Sequence, residues 1–526
     1  MPESINLSNF GSMKIYCLTV VACFLCTTTA FSTGSASSFF NVKNYGAKGN
    51  GINFDSPAIN KAIDAAAKAG GGTVYIPAGI YLSGSIRLKN NITLYLEQGS
   101  TIEAVQDTAA YDKAEPNEWG DKLKYQDFGH SHWHNSLIWG ENLHNISILG
   151  PGLIWGKGLT RFITRDNLPN SLGNKSIGLK NCHNVILRDF SILHGGHFGI
   201  LVTGVDNLTI DNLKIDTDRD GMDIDCCRNV RVSNCFVNSP WDDGICLKSS
   251  FGLGYARSTE DVTITNCWVS GGFEEGTVLD GAYKPILPGY QANFTGRIKC
   301  GTESNGGGFK NIAISNCTFE SCQGLALETV DGALLEDVTV SNITMRNIIS
   351  CPIFLRLGSR MRGPAGVPVG KLRRVIISNI VAYDTKPGYC SIISGIPGND
   401  IEDVQLNNIQ IYCTGGGTEQ MAQISPPEKE NAYPEPGMFG NTPSYGFFIR
   451  HVKGITFNNV QVSYTDEEAR PAFHLLDVKN ADFMHVKAQR TRGVPEFVLK
   501  NVINFNTHYT ASIPDTYIPI TESSNL

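Results

Sequence analysis

Asn184-Val-Ile-Leu-Arg-Asp189, Asn207-Leu-Thr-Ile-Asp-Asn212 and Asn229-Val-Arg-Val-Ser-Asn234 repeat one phrase: Asn or Asp, aliphatic, any, aliphatic, any, Asn or Asp. These copies start 23 and 22 residues apart. The phrase returns at Asp261–Asn266, Asn311–Asn316 and Asp337–Asn342, and more faintly at Arg374–Asn379, Asp403–Asn408 and Gly454–Asn459. Each copy alternates apolar and polar residues, the period of a half-buried strand, and β-branched residues dominate it. One such unit cannot bury its own apolar face, but stacked units bury a continuous one. A period in the twenties without a helical pattern therefore predicts an all-β, parallel β-solenoid. The recurrent Asn is expected to stack as a ladder of side-chain amides at a tight turn. Cys235, Cys267 and Cys317 each follow that Asn and are read as small buried residues in register rather than as disulfides or metal ligands.

Working outward, the one helical pattern is Ser56 to Ala69, with Ile59, Ala62, Ile63, Ala66 and Ala67 near helical spacing and Gly70-Gly71-Gly72 to stop it. Placed ahead of the first strands, it is expected to cap the open end of the solenoid, which would otherwise expose core. Before it, Met13-Lys14, the apolar run Ile15 to Cys26 and the small residues Thr27 to Ala30 resemble a secretory leader. The run is short for a membrane span. The expected organisation is a leader and preceding residues at 1–36, one solenoid domain at 37–510 and a C-terminal tail at 511–526, exported and monomeric. Val20-Val21-Ala22-Cys23 is the alternative, a lipoprotein signal. The 526 residues are 41% hydrophobic and 18% charged, enough apolar material for a large core. A net charge of -7 gives no basic footprint and argues against nucleic acid as a partner. A mildly acidic protein that grips an acidic polymer needs a local basic patch.

After each phrase comes a second strand, often opened by Gly: Gly199 to Val202, Gly221 to Asp225, Gly244 to Lys248, Ile298 to Gly301, Gly324 to Glu328, Ile353 to Arg356 and Phe447 to Arg450. With Met222, Ile224, Ile245, Leu247, Ile298, Cys300, Leu325 and Leu327 inward, alternation turns Asp223, Asp225, Lys248, Lys299, Glu328 and Arg356 outward. Asp220 precedes Gly221 and Asp243 precedes Gly244, so the two stand at equivalent positions on neighbouring turns, about 4.8 Å apart along the stack. Asp242 sits one residue earlier, where the preceding turns place His197. Carboxylates so crowded raise at least one pKa, a cost that an ordinary polar surface has no reason to carry. Two carboxyls across a glycosidic bond, one protonating the leaving oxygen and one activating water, are what glycoside hydrolysis requires.

At these residues the chain resembles glycoside hydrolase family 28, the polygalacturonases. Tyr45 to Gly51 and Gly71 to Gly79 look like the opening of that family and of related pectate-lyase-like enzymes. More specific is the pairing of Asp220-Gly-Met-Asp223 with Asp242-Asp243-Gly244, similar to the family's Asn-Thr-Asp and Asp-Asp motifs. The resemblance implies a right-handed parallel β-helix and an inverting hydrolase of galacturonate-containing polysaccharide. It implies Asp242 as general acid and Asp220 and Asp243 as the residues that hold and activate water, with no cofactor and no metal. The chain departs from the pattern in three places. Asp218-Arg219 replaces the Asn-Thr, Thr295-Gly296-Arg297 stands where Gly-His-Gly is expected, and Arg297-Ile-Lys299 matches the substrate-binding Arg-Ile-Lys one turn too early. The strand where that motif belongs reads Ala326-Leu-Glu328. Candidate substrate-binding residues are His197, Asp223, Lys248, Arg297, Lys299, Glu328 and Arg356. Glu328 would repel a galacturonate, which favours rhamnogalacturonan or another mixed pectic polymer as the alternative substrate.

Other readings of the same residues stay open. Asp223 and Asp225 also fit a ladder, and Lys248 with Glu328 fits an inter-turn ion pair. His130, His132 and His134 alternate and would share one face of a strand, where they could bind a metal; alternatively they are loop residues at the cleft rim, beside Trp133 and Trp139, which could stack on sugars. Gly415 to Tyr445, rich in Pro, Gly and Glu, reads as a long loop that shapes the cleft. A calcium-dependent pectate lyase and a non-catalytic glycan-binding solenoid are the remaining function classes.

Overall fold

The computed structural model describes residues 39–117, 119, 129–161, 173–286, 294–305, 307–385 and 388–526. The leader read at 1–36 lies outside the described residues. Three short strands make one turn: Phe198–Thr203, Asp206–Asp211 and Lys214–Asp216 are followed by Asp220–Asp225, Arg228–Ser233 and Phe236–Asn238. Each strand pairs in parallel with its equivalent one turn on, as in Leu208↔Val230 and Ile215↔Val237. The fold is the parallel β-solenoid that the repeat predicts, a β-helix with the right hand that the resemblance implies and that parallel connections take.

The sheet that matters here runs through β1 (Lys175–Lys180), β2 (Phe198–Thr203), β3 (Asp220–Asp225), β4 (Ile245–Ser249), β5 (Ile298–Ser304), β6 (Leu325–Thr329), β7 (Ile353–Leu357), β8 (Ser391–Ser394) and β9 (Phe447–Tyr464). Its register is Met222↔Ile245↔Ile298, then Lys299↔Ala326↔Phe354↔Ile392↔Phe448. The predicted inward residues of β3 to β6 all lie in the main core. The sequence reading passed directly from Ile353 to Phe447, whereas β8 lies between them. No glycine opens β8, and its Ser391-Ile-Ile-Ser394 is too short to show a period.

The turns explain the repeat. Asn184, Asn207, Asn342, Asn379 and Asn408 all have φ between 51° and 58°, the left-handed region that Asn tolerates better than most side chains. Their amides bond from turn to turn: Asn379 Nδ2 donates to Asn342 Oδ1 at 2.9 Å, and Asn408 Nδ2 donates to Asn379 Oδ1 at 3.0 Å. The twelve described cysteines are buried and unbridged. At the N-terminal end, α1 (Ser56–Lys68) buries Ile59, Ala62, Ile63 and Ala66 over the first turn. At the other end the predicted tail is part of the sheet. Thr516–Asn525 pairs antiparallel with Phe497–His508 and covers the last edge. Among the described residues no helix is long and apolar enough to cross a membrane.

Candidate active site

Asp220 opens β3, and Asp243 lies two residues before β4. The Gly221 N–H donates to the Asp243 carbonyl at 3.0 Å, which places the two aspartates on consecutive turns as expected. Glycine is required beside them. A Cβ on Gly221 would meet the Gly244 oxygen and Val237 Cγ1, each at 2.5 Å. The Asp242 turn is held by Ser239, whose Oγ donates to the Arg219 carbonyl at 2.5 Å and the Asp242 carbonyl at 3.1 Å. Carboxylate oxygens of Asp220, Asp242 and Asp243 lie within 4.8 Å of one another. Of the three, only Asp242 reaches solvent appreciably; its side chain is 28% exposed, against 3% and 5% for Asp220 and Asp243.

The electrostatics differ from residue to residue. Burial, then the Asp223 and Asp242 carboxylates, push Asp220 well above the usual carboxylate range. Burial also pushes Asp242 up, but the charge and hydrogen bond of Arg219 outweigh it and hold Asp242 below its ordinary value. Asp220 thus holds a proton more tightly than Asp242. Asp243 lies 2.9 Å from Arg297 Nε and 3.3 Å from Lys299 Nζ. The cation at the cluster is Arg219, immediately before Asp220: its Nη2 pairs with Asp242 and lies 3.6 Å from Asp220. Its signal was the replacement of Asn-Thr by Asp218-Arg219.

The candidate binding residues divide into three groups. His197 is at the cluster, its Nδ1 2.7 Å from Arg219 Nη1 and 2.8 Å from the Arg161 carbonyl oxygen. Arg297 and Lys299 are also there, but both meet Glu435 of the Pro-rich loop, at 2.5 and 3.3 Å. Arg297 further donates to Gln323 Oε1 at 2.6 Å, and Lys299 lies over the Tyr433 ring. Glu328 faces Lys299 at 3.6 Å; burial raises its carboxyl to about 8 against the pull of Lys299 and Arg297.

Asp223 and Lys248 form a second, buried group with His130 and Glu303. Lys248 Nζ lies 3.1 Å from Asp223, 3.2 Å from Glu303 and 2.6 Å from His130 Nε2. Lys248 therefore pairs with Asp223 and Glu303, not with Glu328. Arg356 belongs to neither group. It donates to Ser394 Oγ and to the Gly395 and Glu428 carbonyls at 2.9 to 3.0 Å, tying down the loop. Asp225 is structural, accepting from the Ser250 N–H and Oγ at 2.8 and 2.6 Å.

Alternation placed these side chains outward correctly, but outward does not mean exposed. Two segments cover the sheet. Before the cluster, Trp133 packs on Phe198 and Leu201. After it, Met438 and Phe439 pack on Ala326, Phe354, Ile392 and Phe448. Trp133 is thus buried, donating to Thr203 Oγ1 at 3.1 Å, and is no sugar platform. Trp139 is stacked by His134. His130, His132 and His134 do not gather; His134 turns away to Glu141 at 2.8 Å. Among the described residues, two groups have metal-ligand spacing: the three aspartates, and His194 with Asp218 and Glu275.

Two family models match the chain. One, described as "Rhamnogalacturonase A/epimerase, pectate lyase-like", covers residues 39–126, and one described as "Right handed beta helix region" covers 175–361. A probable polygalacturonase of Vitis vinifera is 26% identical over 241 residues, 42% of this chain and 47% of that protein. An exo-poly-alpha-D-galacturonosidase of Dickeya chrysanthemi is 29% identical over 184 residues, 35% and 30% of the two chains. This chain therefore spans less than half the length of each of these relatives. The crystal structure of a hyperthermoactive exopolygalacturonase from Thermotoga maritima superposes with a TM-score of 0.59 at 17% identity, over 81% of this chain and 91% of that one. By its repeat and these relationships, the chain is a right-handed parallel β-helix protein that is similar over part of its length to polygalacturonases.

Proposed function

We propose that this protein hydrolyses a glycosidic bond in galacturonate-containing, pectic polysaccharide. The single observation that carries the reading is the grouping of Asp220, Asp242 and Asp243 within 4.8 Å where the covered sheet opens. Asp242, the most exposed of the three, meets the glycosidic oxygen and donates the proton. Asp220 and Asp243 hold the attacking water, and Asp220 takes its proton. The step balances: one proton leaves Asp242 with the leaving hydroxyl, one arrives at Asp220, and water's oxygen joins the anomeric carbon. Its end state leaves the proton on Asp220, the member of the pair that holds one more tightly.

The covers on both sides favour action at a chain end. Trp133 and its neighbours close the sheet before β3, and Met438 and Phe439 close it from β6 onward. A long polymer lying across the sheet would meet both. Exo action is tested by following reducing ends and viscosity together on polygalacturonate. Reducing ends should rise with little loss of viscosity, and a steep early fall would refute it. A mixed polymer such as rhamnogalacturonan is the second reading, favoured by Asp243, Glu328 and Glu435 around Arg297 and Lys299, where a neutral sugar is better matched than a carboxylate.

A further inference from the structure

Arg297 and Lys299 are each 1% exposed and already face the carboxylates of Asp243 and Glu435. Lys248 is buried against Asp223 and Glu303. Arg219 is different. It occupies the position between His197 and Asp242 in successive turns, by the register Phe198↔Asp220 and Met222↔Ile245. Its side chain is 26% exposed, touches the most exposed catalytic candidate and is braced by His197. Its planar fork suits a carboxylate ligand.

We propose that Arg219 recognises the carboxylate of the galacturonate at the scissile bond, exchanging Asp242 for the substrate and so freeing Asp242 to act as the proton donor. This rests on the hydrolase reading above. The exchange replaces one Arg219 carboxylate contact with another, so the buried guanidinium face keeps an anionic partner. Asp242, without its cation and beside Asp243, then takes up a proton that in the ligand-free site Asp220 holds more tightly. Asp220 becomes the ionised base. A neutral or methyl-esterified sugar cannot draw Arg219 away, and Asp242 stays ionised and unable to donate. Arg219 is thereby a specificity-determining residue that acts on kcat more than on KM.

The test compares oligogalacturonides with their methyl esters on wild type, Arg219→Lys and Arg219→Gln. Wild type should prefer the free acid. Arg219→Gln should lose that preference, chiefly through a rise in kcat on the ester of about ten- to a hundredfold, the weight of the charge-assisted hydrogen bond that no longer holds Asp242 on either substrate. Arg219→Lys should lie between. A separate measurement needs no turnover. By calorimetry, Asp242→Asn, with Arg219 released, should bind the free acid more tightly than the Asp242→Asn/Arg219→Gln double variant, while ester binding is equal. An unchanged acid-to-ester ratio in Arg219→Gln, or equal acid binding by the single and double variants, overturns the inference and leaves the hydrolase reading standing. Wild type that cleaves neither polymer nor oligomer overturns the hydrolase reading, and this inference with it.

Discussion

At the residue scale, Asp220 and Asp242 are chemically identical and differ only in what surrounds them. Asp242→Asn should lower turnover by about a hundred- to ten-thousandfold, the usual weight of a general acid, with the fold intact by circular dichroism. Asp220→Asn should also abolish activity but make the protein more stable. The folded-state pKa of Asp220 is raised, so its contribution to stability falls as pH climbs from the unfolded value, where the unfolded chain gives up that proton first. A higher urea midpoint for Asp220→Asn at pH 7 is the expected result. Glu328 follows the same sign. Its pKa is raised to about 8 in the fold, so its contribution falls as pH rises from the ordinary value of 4.5 towards 8. Glu328→Gln should flatten the decline of the melting temperature across that window. The aspartates were legible in the sequence because neighbouring turns repeat the Asp-Gly step. Their proton distribution was not, because it depends on where the Arg219 side chain reaches across a turn, which no spacing encodes.

At the element scale, the solenoid was legible and its covers were not. Period and alternation follow from the backbone, so the inward residues of β3 to β6 could be named from the chain alone. The packing of Phe439 on Phe354, Ile392 and Phe448, or of Trp133 on Phe198, depends on long-range contacts between a loop and a strand face, and such loops carry no period. Arg356 shows the consequence: a candidate substrate ligand by sequence, its guanidinium holds the main-chain carbonyls of Glu428 and Lys429 in the loop. Arg356→Met should leave those carbonyls unpaired, at about 1–3 kcal/mol for the buried groups. Limited proteolysis should then cut within residues 415–445 at concentrations that spare the wild type. The Asn ladder makes its own prediction. Asn379 has φ 55° and bonds to both neighbours. Asn379→Ala should cost more than Asn379→Gly, by about 1–2 kcal/mol for the left-handed backbone, read from urea midpoints.

At the scale of the whole molecule, a one-dimensional stack gives a long outer face, and between the two covers Asp242 and Arg219 stay partly exposed. The resemblance in sequence reached the aspartates more fully than the candidate sugar-binding residues, because Asp220, Asp242 and Asp243 are fixed by the turn repeat while Arg297 and Lys299 acquire their partners from the distant Glu435. The central claim is hydrolysis by the aspartate cluster. It is tested most directly by digesting polygalacturonate in oxygen-18 water with wild type and Asp242→Asn and analysing the products by mass spectrometry. The account predicts one labelled oxygen at each new reducing end, and product from Asp242→Asn at less than about a hundredth of the wild-type rate. Unsaturated, unlabelled products, or an undiminished rate in Asp242→Asn, would contradict it.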